Sequence, residues 1–220
     1  TRRPGTKFVA QVKSSTDAVR LIPFEYNVTQ AYILEFGPSY IRFYTNDAQL
    51  ESSPGVPYEV ATTYTAGQLN DIAYAQSADV LYLVHPAHPP RKLVRNGALS
   101  WSLSAISFLD GPYATTNTTT TTLTSSVAGP GAATVTASAT TGINNNTGFQ
   151  TTDVGRMIRL KSGTNWGWGT ITSRASTTSV GVTWITAVGT TAATTWRLGV
   201  WGDTTGYPRA VCFNQSRLVF

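Results

Sequence analysis

The stretch QAYILEFGPSYIRFY, residues 30–44, decides the fold that this sequence predicts. Apolar side chains occupy alternate positions before the turn residues Gly37-Pro38-Ser39 and again after them. This alternation is typical of strands that bury one face. Glycine and proline favour a tight turn between the two strands. The stretch therefore predicts an antiparallel β-hairpin that packs on a core through one face.

The same strand pattern extends on both sides of this hairpin and then recurs. A strand at Ile22–Tyr26 precedes the hairpin and one at Pro57–Ala61 follows it. A second set of four strands occupies residues 72–106, and the pattern begins again at Pro208. Repeats of four short antiparallel strands are typical of propeller blades, and an ordinary antiparallel sandwich is the alternative. One helical turn is expected at Thr65–Leu69.

A threonine-rich segment precedes the third repeat. Residues 114–195 hold 26 of the 36 threonines, and threonine suits strands while keeping their surface wet without charge. The predicted fold is therefore all-β, with incomplete propeller-like blades and an inserted small β-sandwich or barrel. The predicted domains are blades at 1–113, the insertion at 114–195 and the start of the next blade at 196–220.

The sequence contains too few repeats for a complete propeller. Two and a half blades cannot close a propeller, which usually has at least four. We therefore expect the sequence to be an excerpt of a longer polypeptide, or an assembly to supply the missing strand edges.

Charge is sparse and unevenly distributed. The chain has 16 basic and 11 acidic residues, a formal net charge of +5. Residues 1–113 are neutral, and the excess arises because acids become rare after them. A nucleic-acid-binding module usually concentrates its cations on one face, so the net charge alone does not favour a DNA-binding protein over solvated surface charge.

The insertion nevertheless supplies the candidate site residues. Four cations are candidates for a surface that faces a lumen, DNA or a neighbouring ring, with solvated loop charge as the alternative: Arg156, Arg159, Lys161 and Arg174. Trp166 and Trp168 are candidates for stacking against sugars or bases, with core packing as the alternative.

The sequence offers no recognisable catalytic or metal-binding motif. GxSxG, P-loop and strand-associated GxGxxG patterns are missing. His85 and His88 stand among prolines that favour a turn, and Cys212 alternates in a strand as a small buried side chain would. Four glutamates are scattered over predicted strands, and folding two of them together as in a glycosidase stays an alternative: Glu25, Glu35, Glu51 and Glu59. We predict no enzyme activity, no cofactor, no metal and no membrane anchor.

An ordered series of motifs resembles one protein family. The series begins with Arg3–Ala10, Arg20–Tyr26, Gln30–Gly37 and Tyr40–Tyr44. It continues with Gln76–Tyr82, His85-Pro86, Pro90–Leu93, Thr152–Arg156 and Gly206–Val211. In this order the motifs resemble the N-terminal portion of tail nozzle proteins of short-tailed bacteriophages and prophages, also called tail tubular protein B.

This resemblance implies a structural protein of the virion. Members of the family form a ring, usually a hexamer, around a channel that retains the genome and then releases it. The implied partners are other copies of the chain, tail adaptor and fibre proteins, and phage DNA in transit. The implied location is the phage tail, after synthesis in the bacterial cytoplasm. The alternative function is a tail module that binds or depolymerises host surface glycans, with Trp166 and Trp168 as its stacking residues.

Overall fold

The computed structural model describes residues 5–27 and 30–220, except the side chain of Asn165. The chain is all-β with antiparallel sheets, as the sequence predicts. It divides into two compact units. The first, the blade unit, comprises the chain up to His85, Pro90–Ile106 and Pro208–Phe220. The second, the inserted unit, comprises Pro86–Pro89 and Ser107–Tyr207. Arg3 and Pro4 of the first motif lie outside the described residues.

The first repeat forms one sheet and a small hairpin. Its strands are β1 (Arg20–Asn27), β2 (Gln30–Gly37), β3 (Tyr40–Thr45), β4 (Ala48–Gln49), β5 (Glu51–Ser53), β6 (Val56–Pro57) and β7 (Glu59–Ala61). Strands β1 to β4 are neighbours in chain order, β7 also pairs with β3, and β5 pairs with β6.

The hairpin that decides the fold has the geometry its residues favour. Pro38 fixes the first turn position, and Ser39 takes a positive φ of 67° at the second. Gly37 lies beneath the ring of Tyr40, which a Cβ atom at this position would overlap. A side chain at Gly37 would therefore displace Tyr40 from its place on the sheet.

The second repeat forms a simple four-stranded sheet. A 3₁₀ helix at Ala66–Asp71 precedes it, and this confirms the helical turn expected near Thr65. The strands are β8 (Ala73–Ser77), β9 (Val80–His85), β10 (His88–Gly97) and β11 (Ser100–Ala105). They pair in chain order, as the strands of a propeller blade do.

Aromatic rings from both sheets share the core of the blade unit. The indole of Trp101 on β11 lies edge-on to Phe24 of β1, with ring centroids 4.8 Å apart. It also lies 4.6 Å from Phe43 of β3 and 5.3 Å from Tyr32 of β2. The two sheets therefore bury their apolar faces against each other.

Two arginines add polar links within the blade unit, one between the two sheets and one between β1 and the 3₁₀ helix. The guanidinium of Arg95 on β10 stacks on Tyr26 at 3.8 Å and donates hydrogen bonds to the hydroxyl of Tyr32. Arg20 on β1 donates to the carbonyls of Leu69, Asn70 and Ile72 around the 3₁₀ helix. These bonds satisfy carbonyl groups that the helix end leaves open.

The inserted unit is built on one six-stranded sheet. Its strands are β12 (Leu123–Ser125), β13 (Gly131–Ala137), β14 (Met157–Ser162), β15 (Asn165–Ser176), β16 (Ser179–Trp184) and β17 (Trp196–Leu198). The order across the sheet is β12-β13-β16-β15-β14-β17. A second 3₁₀ helix, Thr151–Asp153, precedes β14.

Hydrogen bonds link the two edges of this sheet. Leu123 on β12 exchanges two backbone hydrogen bonds with Ala193, each 2.9 Å long, three residues before β17 begins. The amides of Asn117 and Ala114 donate to the carbonyls of Trp196 and Leu198 on β17. The sheet therefore curls around its own apolar core, and we call it the curled sheet.

The unit boundaries differ from the predicted ones because of strand pairing at both ends of the insertion. Trp196–Leu198, expected to start the next blade, pairs with β14 in the curled sheet. Tyr113 pairs with Gly199, which places residues before 114 in the inserted unit as well. Neither β12 nor β17 is predicted from the sequence.

The third repeat consists of a two-stranded hairpin in the structure. Strands β18 (Cys212–Asn214) and β19 (Arg217–Val219) pair with each other, so the strand expected from Pro208 begins only at Cys212. The ring of Phe213 packs on Tyr82 of β9, 5.7 Å away. The prediction that Cys212 is buried is wrong, because the hairpin leaves it exposed.

Across the described residues, no helix has both the length and the apolar character needed to span a membrane.

Candidate functional site

Four of the six predicted site residues share the outer surface of the curled sheet. Arg159 and Lys161 alternate with buried Ile158 and Leu160 along β14. On the neighbouring strand β15, Trp166 is paired with Lys161 and Trp168 with Arg159. Side chains at alternate positions of a strand point to one face, so the strand register brings these cations and indoles together.

A fifth member of this surface was not predicted. Arg197 lies between the buried residues Trp196 and Leu198 on β17, and it stands directly opposite Arg159. We call the set of five side chains the basic–aromatic face: Arg159, Lys161, Trp166, Trp168 and Arg197. The alternation of apolar and charged residues around Arg197 could have revealed it, but the predicted boundary of the insertion, at residue 195, excludes this residue.

Trp166 offsets the repulsion between the two opposed arginines. Like charges directly opposite on neighbouring strands destabilise a sheet. The indole of Trp166 lies 4.9 Å from the guanidinium of Arg159 and 5.6 Å from that of Arg197. These cation–π contacts attract both side chains to one ring. Trp166 therefore holds the arginines in place, which makes it a poor platform for a sugar.

One ion pair and one hydrogen bond fix the arginines further. Arg159 approaches the carboxylate of Asp110 at 3.5 Å and lies over the ring of Tyr113. Burial raises the pKa of Tyr113, as do its hydrogen bond to Asp110 and the charge of that carboxylate. The Nε of Arg197 donates to the hydroxyl of Thr116 at 2.7 Å. Neither Arg197 nor Lys161 forms an ion pair among the described residues.

Arg156 lies inside the inserted unit and does not present a cation at its surface. Its side chain is 5% exposed, and its guanidinium contacts the fully buried carboxylate of Asp153 at 3.0 Å. It also donates to the carbonyl of Gly199 at 2.6 Å and to Asn144 at 2.7 Å. Arg156 therefore has a structural role. It does not face a lumen, DNA or a neighbouring ring, contrary to what the sequence led us to expect.

Asp153 is the centre of this buried arrangement. Its carboxylate also accepts hydrogen bonds from the side chain of Asn144, the amide of Gln150 and the hydroxyl of Thr204. The Asp153 clasp, meaning Asp153 with Asn144, Arg156 and Thr204, joins three segments of the inserted unit. Because the two buried charges are paired with each other and hydrogen-bonded to further polar groups, they are compensated.

Arg174 is separate from the basic–aromatic face. It lies beyond Ile171 on β15, where the pairing with β16 is irregular. Its Nε donates to the carbonyl of Phe149 at 3.2 Å. Arg174 is therefore a cation of the inserted unit that lies outside the basic–aromatic face. It can serve as a matched control for the arginines of that face.

The opposite part of the curled sheet carries hydroxyl groups in place of charge. Strands β12, β13 and β16 contain no charged residue in their sequences. Thr136 on β13 is paired with Thr124 of β12 and Ser179 of β16, and Thr183 of β16 is paired with Ala132. We call this surface the hydroxyl face.

Two of the four scattered glutamates lie on one side of the first sheet, on either side of Arg42, and both are held by other side chains. Buried Glu35 accepts hydrogen bonds from the hydroxyls of Tyr40 and Tyr44. Glu59 accepts from Arg42 at 2.8 Å and from Lys13 at 2.7 Å. Burial opposes ionisation of Glu59, but the hydrogen bonds from these two cations lower its pKa.

The remaining acids and histidines do not form a metal cluster. Glu51 accepts a hydrogen bond from the amide of Gly55, and the backbone of Glu25 bonds to Gln76. His85 and His88 flank the turn between β9 and β10, as expected. In the part of the chain that the structure describes, no group of three or more His, Cys, Asp or Glu side chains could hold a metal ion.

Comparison with protein-family models and with curated proteins finds no match to this chain.

Proposed function

We propose that this chain is a structural component of a phage tail nozzle, part of the wall through which the genome is retained and ejected. The ordered series of sequence motifs, which extends over both blade sheets and the inserted unit, carries this proposal. Its assembly partners are further copies of the chain in a ring, usually a hexamer, together with tail adaptor and fibre proteins. The protein then resides in the virion, and DNA contacts it in transit.

The roles of the motif residues support this proposal. Gln30–Gly37 and Tyr40–Tyr44 form the central hairpin and supply the Glu35–Tyr40 hydrogen bond. Thr152–Arg156 supplies the buried ion pair of the Asp153 clasp. These motifs therefore supply residues that stabilise the interior of each unit. A role as a rigid wall fits residues of this kind better than a catalytic role does.

The hydroxyl face is the second supporting feature. A conduit for DNA needs a surface that does not retain phosphates, and binding to phosphates depends on the number of cations in contact with them. The hydroxyl face offers hydrogen-bonding groups without cations. We assign it, rather than the basic–aromatic face, to contact with moving DNA.

The proposal is tested in a phage or prophage that encodes this sequence. A nonsense mutation early in its reading frame is expected to give DNA-filled heads that lack the distal tail and do not infect. Antibodies against the inserted unit are expected to label the tail of wild-type particles. Tails that never contain the protein, together with normal ejection by mutant particles, would show that the proposal is wrong.

A glycan-binding or depolymerising tail module is the second candidate, and Trp168 is the observation that favours it. This half-buried indole is on the outer surface of β15 and makes no ring or cation contact among the described residues. A glycan array with the wild-type protein and Trp168→Leu would detect such binding, and a polysaccharide viscosity assay would detect cleavage. No binding and no cleavage would remove this candidate.

A further inference from the structure

The basic–aromatic face arranges its side chains in two rows across the curled sheet. One row contains Arg197, Arg159 and Trp168 on three neighbouring strands, and the next contains Lys161 and Trp166. Neighbouring strands are about 4.8 Å apart, and alternate residues along a strand are about 7 Å apart. The cations therefore occupy one side of the face at short, regular spacing, with Trp168 beside them.

The face carries an excess of positive charge. It holds three cations, and Asp110 is the one acid in contact with them among the described residues. Among the described residues, Arg197 donates a hydrogen bond only from its Nε, to Thr116, so the two terminal nitrogens of its guanidinium are available. A ligand for this surface must therefore supply more than one negative charge.

The two indoles have different tasks. Trp166 already contacts two guanidinium groups, so it positions the cations. Trp168 is free of such contacts in the described part of the chain and can accept a flat ring. A row of cations beside an aromatic platform is the arrangement that binds single-stranded nucleic acid, with phosphates on the cations and bases on the rings.

We propose that the basic–aromatic face of the inserted unit binds single-stranded nucleic acid, with phosphates on Lys161 and Arg197 and a base stacked on Trp168. A duplex keeps its bases stacked internally and cannot use Trp168 in this way. A neutral glycan could use Trp168 but would leave the cations without partners. The inference goes beyond the proposed tail function, because it depends only on the surface of the inserted unit.

The first test measures binding of the full chain to fluorescein-labelled oligothymidylate of twelve nucleotides at low salt. Fluorescence anisotropy gives the Kd, and quenching of tryptophan emission reports stacking. We expect Lys161→Gln and Arg197→Gln each to weaken binding several-fold. Each should also reduce the slope of log Kd against log salt by about 0.7. Trp168→Leu should weaken binding about tenfold and remove most of the quenching, while Trp168→Phe retains part of both.

Arg174→Gln is the matched control, because it removes a cation of the same unit that lies away from the face. It is expected to leave the Kd within about twofold of wild type. Circular dichroism and thermal melting of every variant separate loss of binding from loss of structure. A folded Arg174→Gln protein that loses as much affinity as Arg197→Gln would overturn the proposal.

Competitors distinguish the classes of polyanion. Single-stranded oligothymidylate is expected to displace the probe at lower concentration than a duplex of equal length, polyaspartate or an anionic polysaccharide. Equal displacement by duplex or polyaspartate would show a simple cationic patch, and preferential displacement by the polysaccharide would show a glycan site. Both results overturn the proposal. A protein that assembles into tails but does not bind the oligonucleotide contradicts this inference alone.

Discussion

The blade unit and the inserted unit are both antiparallel β-structures, yet they fill their interiors differently. In the blade unit, Trp101 packs on aromatic rings that belong to the other sheet. The inserted unit instead closes one sheet on a mostly aliphatic core and adds the buried pair Asp153–Arg156. Interior packing therefore depends on the partner sheet in the first unit and on internal closure in the second.

Trp101→Ala gives the sharpest test of this contrast. The variant is expected to destabilise the blade unit by about 4 kcal/mol, because it removes an indole that contacts three rings. Amide hydrogen exchange should accelerate in β9 and β10 and stay slow in β13 and β16. Leu99→Ala, at an exposed position, is the control. Equal loss of protection in both units would contradict the contrast.

Arg156→Met tests the Asp153 clasp. Removing one partner of a buried ion pair leaves the other charge uncompensated, so we expect a loss of about 3 kcal/mol in the inserted unit. Denaturant unfolding followed by hydrogen exchange should show faster exchange in β14 and β16, with the blade unit unchanged. Arg174→Gln is the matched control. The double variant Asp153→Asn/Arg156→Met should recover part of the loss, and no recovery would argue against an electrostatic cause.

Ser125→Ala tests how the inserted unit accommodates its large core side chain. The indole nitrogen of buried Trp184 donates to the hydroxyl of Ser125 at 3.0 Å. Without this acceptor, a buried donor is left unpaired, at a cost of about 1.5 kcal/mol. Thr136→Ala, on the hydroxyl face, should change stability by no more than about 0.5 kcal/mol. Similar losses in both variants, measured by urea unfolding, would contradict this difference.

Tyr40→Phe tests the polar network of the blade unit at alkaline pH. Burial, the hydrogen bond to Glu35 and the charge of that carboxylate raise the pKa of Tyr40 to about 12. The unfolded tyrosine ionises near pH 10, so its contribution to stability is present below that pH and is lost as the pH rises to about 12.

The phenylalanine variant should therefore show a decline in stability between pH 10 and 12 that is smaller by roughly 1 kcal/mol. Burial, together with the hydrogen bond to Asp203 and the charge of that carboxylate, also raises the pKa of Tyr207 to about 12. Tyr207→Phe is consequently the matched control, and its effect should be confined to amides of the inserted unit. If the stability of Tyr40→Phe declined as much as that of the wild type, the hydrogen bond from Tyr40 to Glu35 would not be the cause of the alkaline decline.

Most strands of the blade unit could be predicted because their side chains alternate. The apolar positions of residues 30–44 indicate both strands and the turn between them, and the second repeat follows the same rule. The sequence predicts the fourth strand of the first repeat at Pro57–Ala61, whereas β7 covers only Glu59–Ala61. Pro57 belongs instead to β6, where it pairs with Glu51 in an additional small hairpin before β7.

The inserted unit was less predictable because its closure depends on partners distant in sequence. β12 and β17 contain three residues each, too few for a visible period, and they are defined by bonds between residues such as Asn117 and Trp196. β16 extends to Trp184 because this residue still pairs with Gly131 of β13 and Gly169 of β15.

The candidate site shows the same division. Residue type alone singled out Arg159, Lys161, Trp166 and Trp168, but the register of β14 and β15 shows that they share a face. Arg156 carries the same charge as Arg159, and its burial follows from Asp153 three residues earlier in a turn. Residue type alone does not distinguish the buried Arg156 from the surface residue Arg159, because their positions in the fold decide which of them is exposed.

The linked edges of the curled sheet also have a mechanical meaning. The incoming segment at Tyr113 and the outgoing segment at Gly199 are antiparallel neighbours, and the bonds that follow them run inward to Leu123 and Ala193. Tension applied along the backbone would pull the two segments apart from the same end. Their hydrogen bonds would then open one after another. The inserted unit would therefore unfold at low force, and the chain would lengthen.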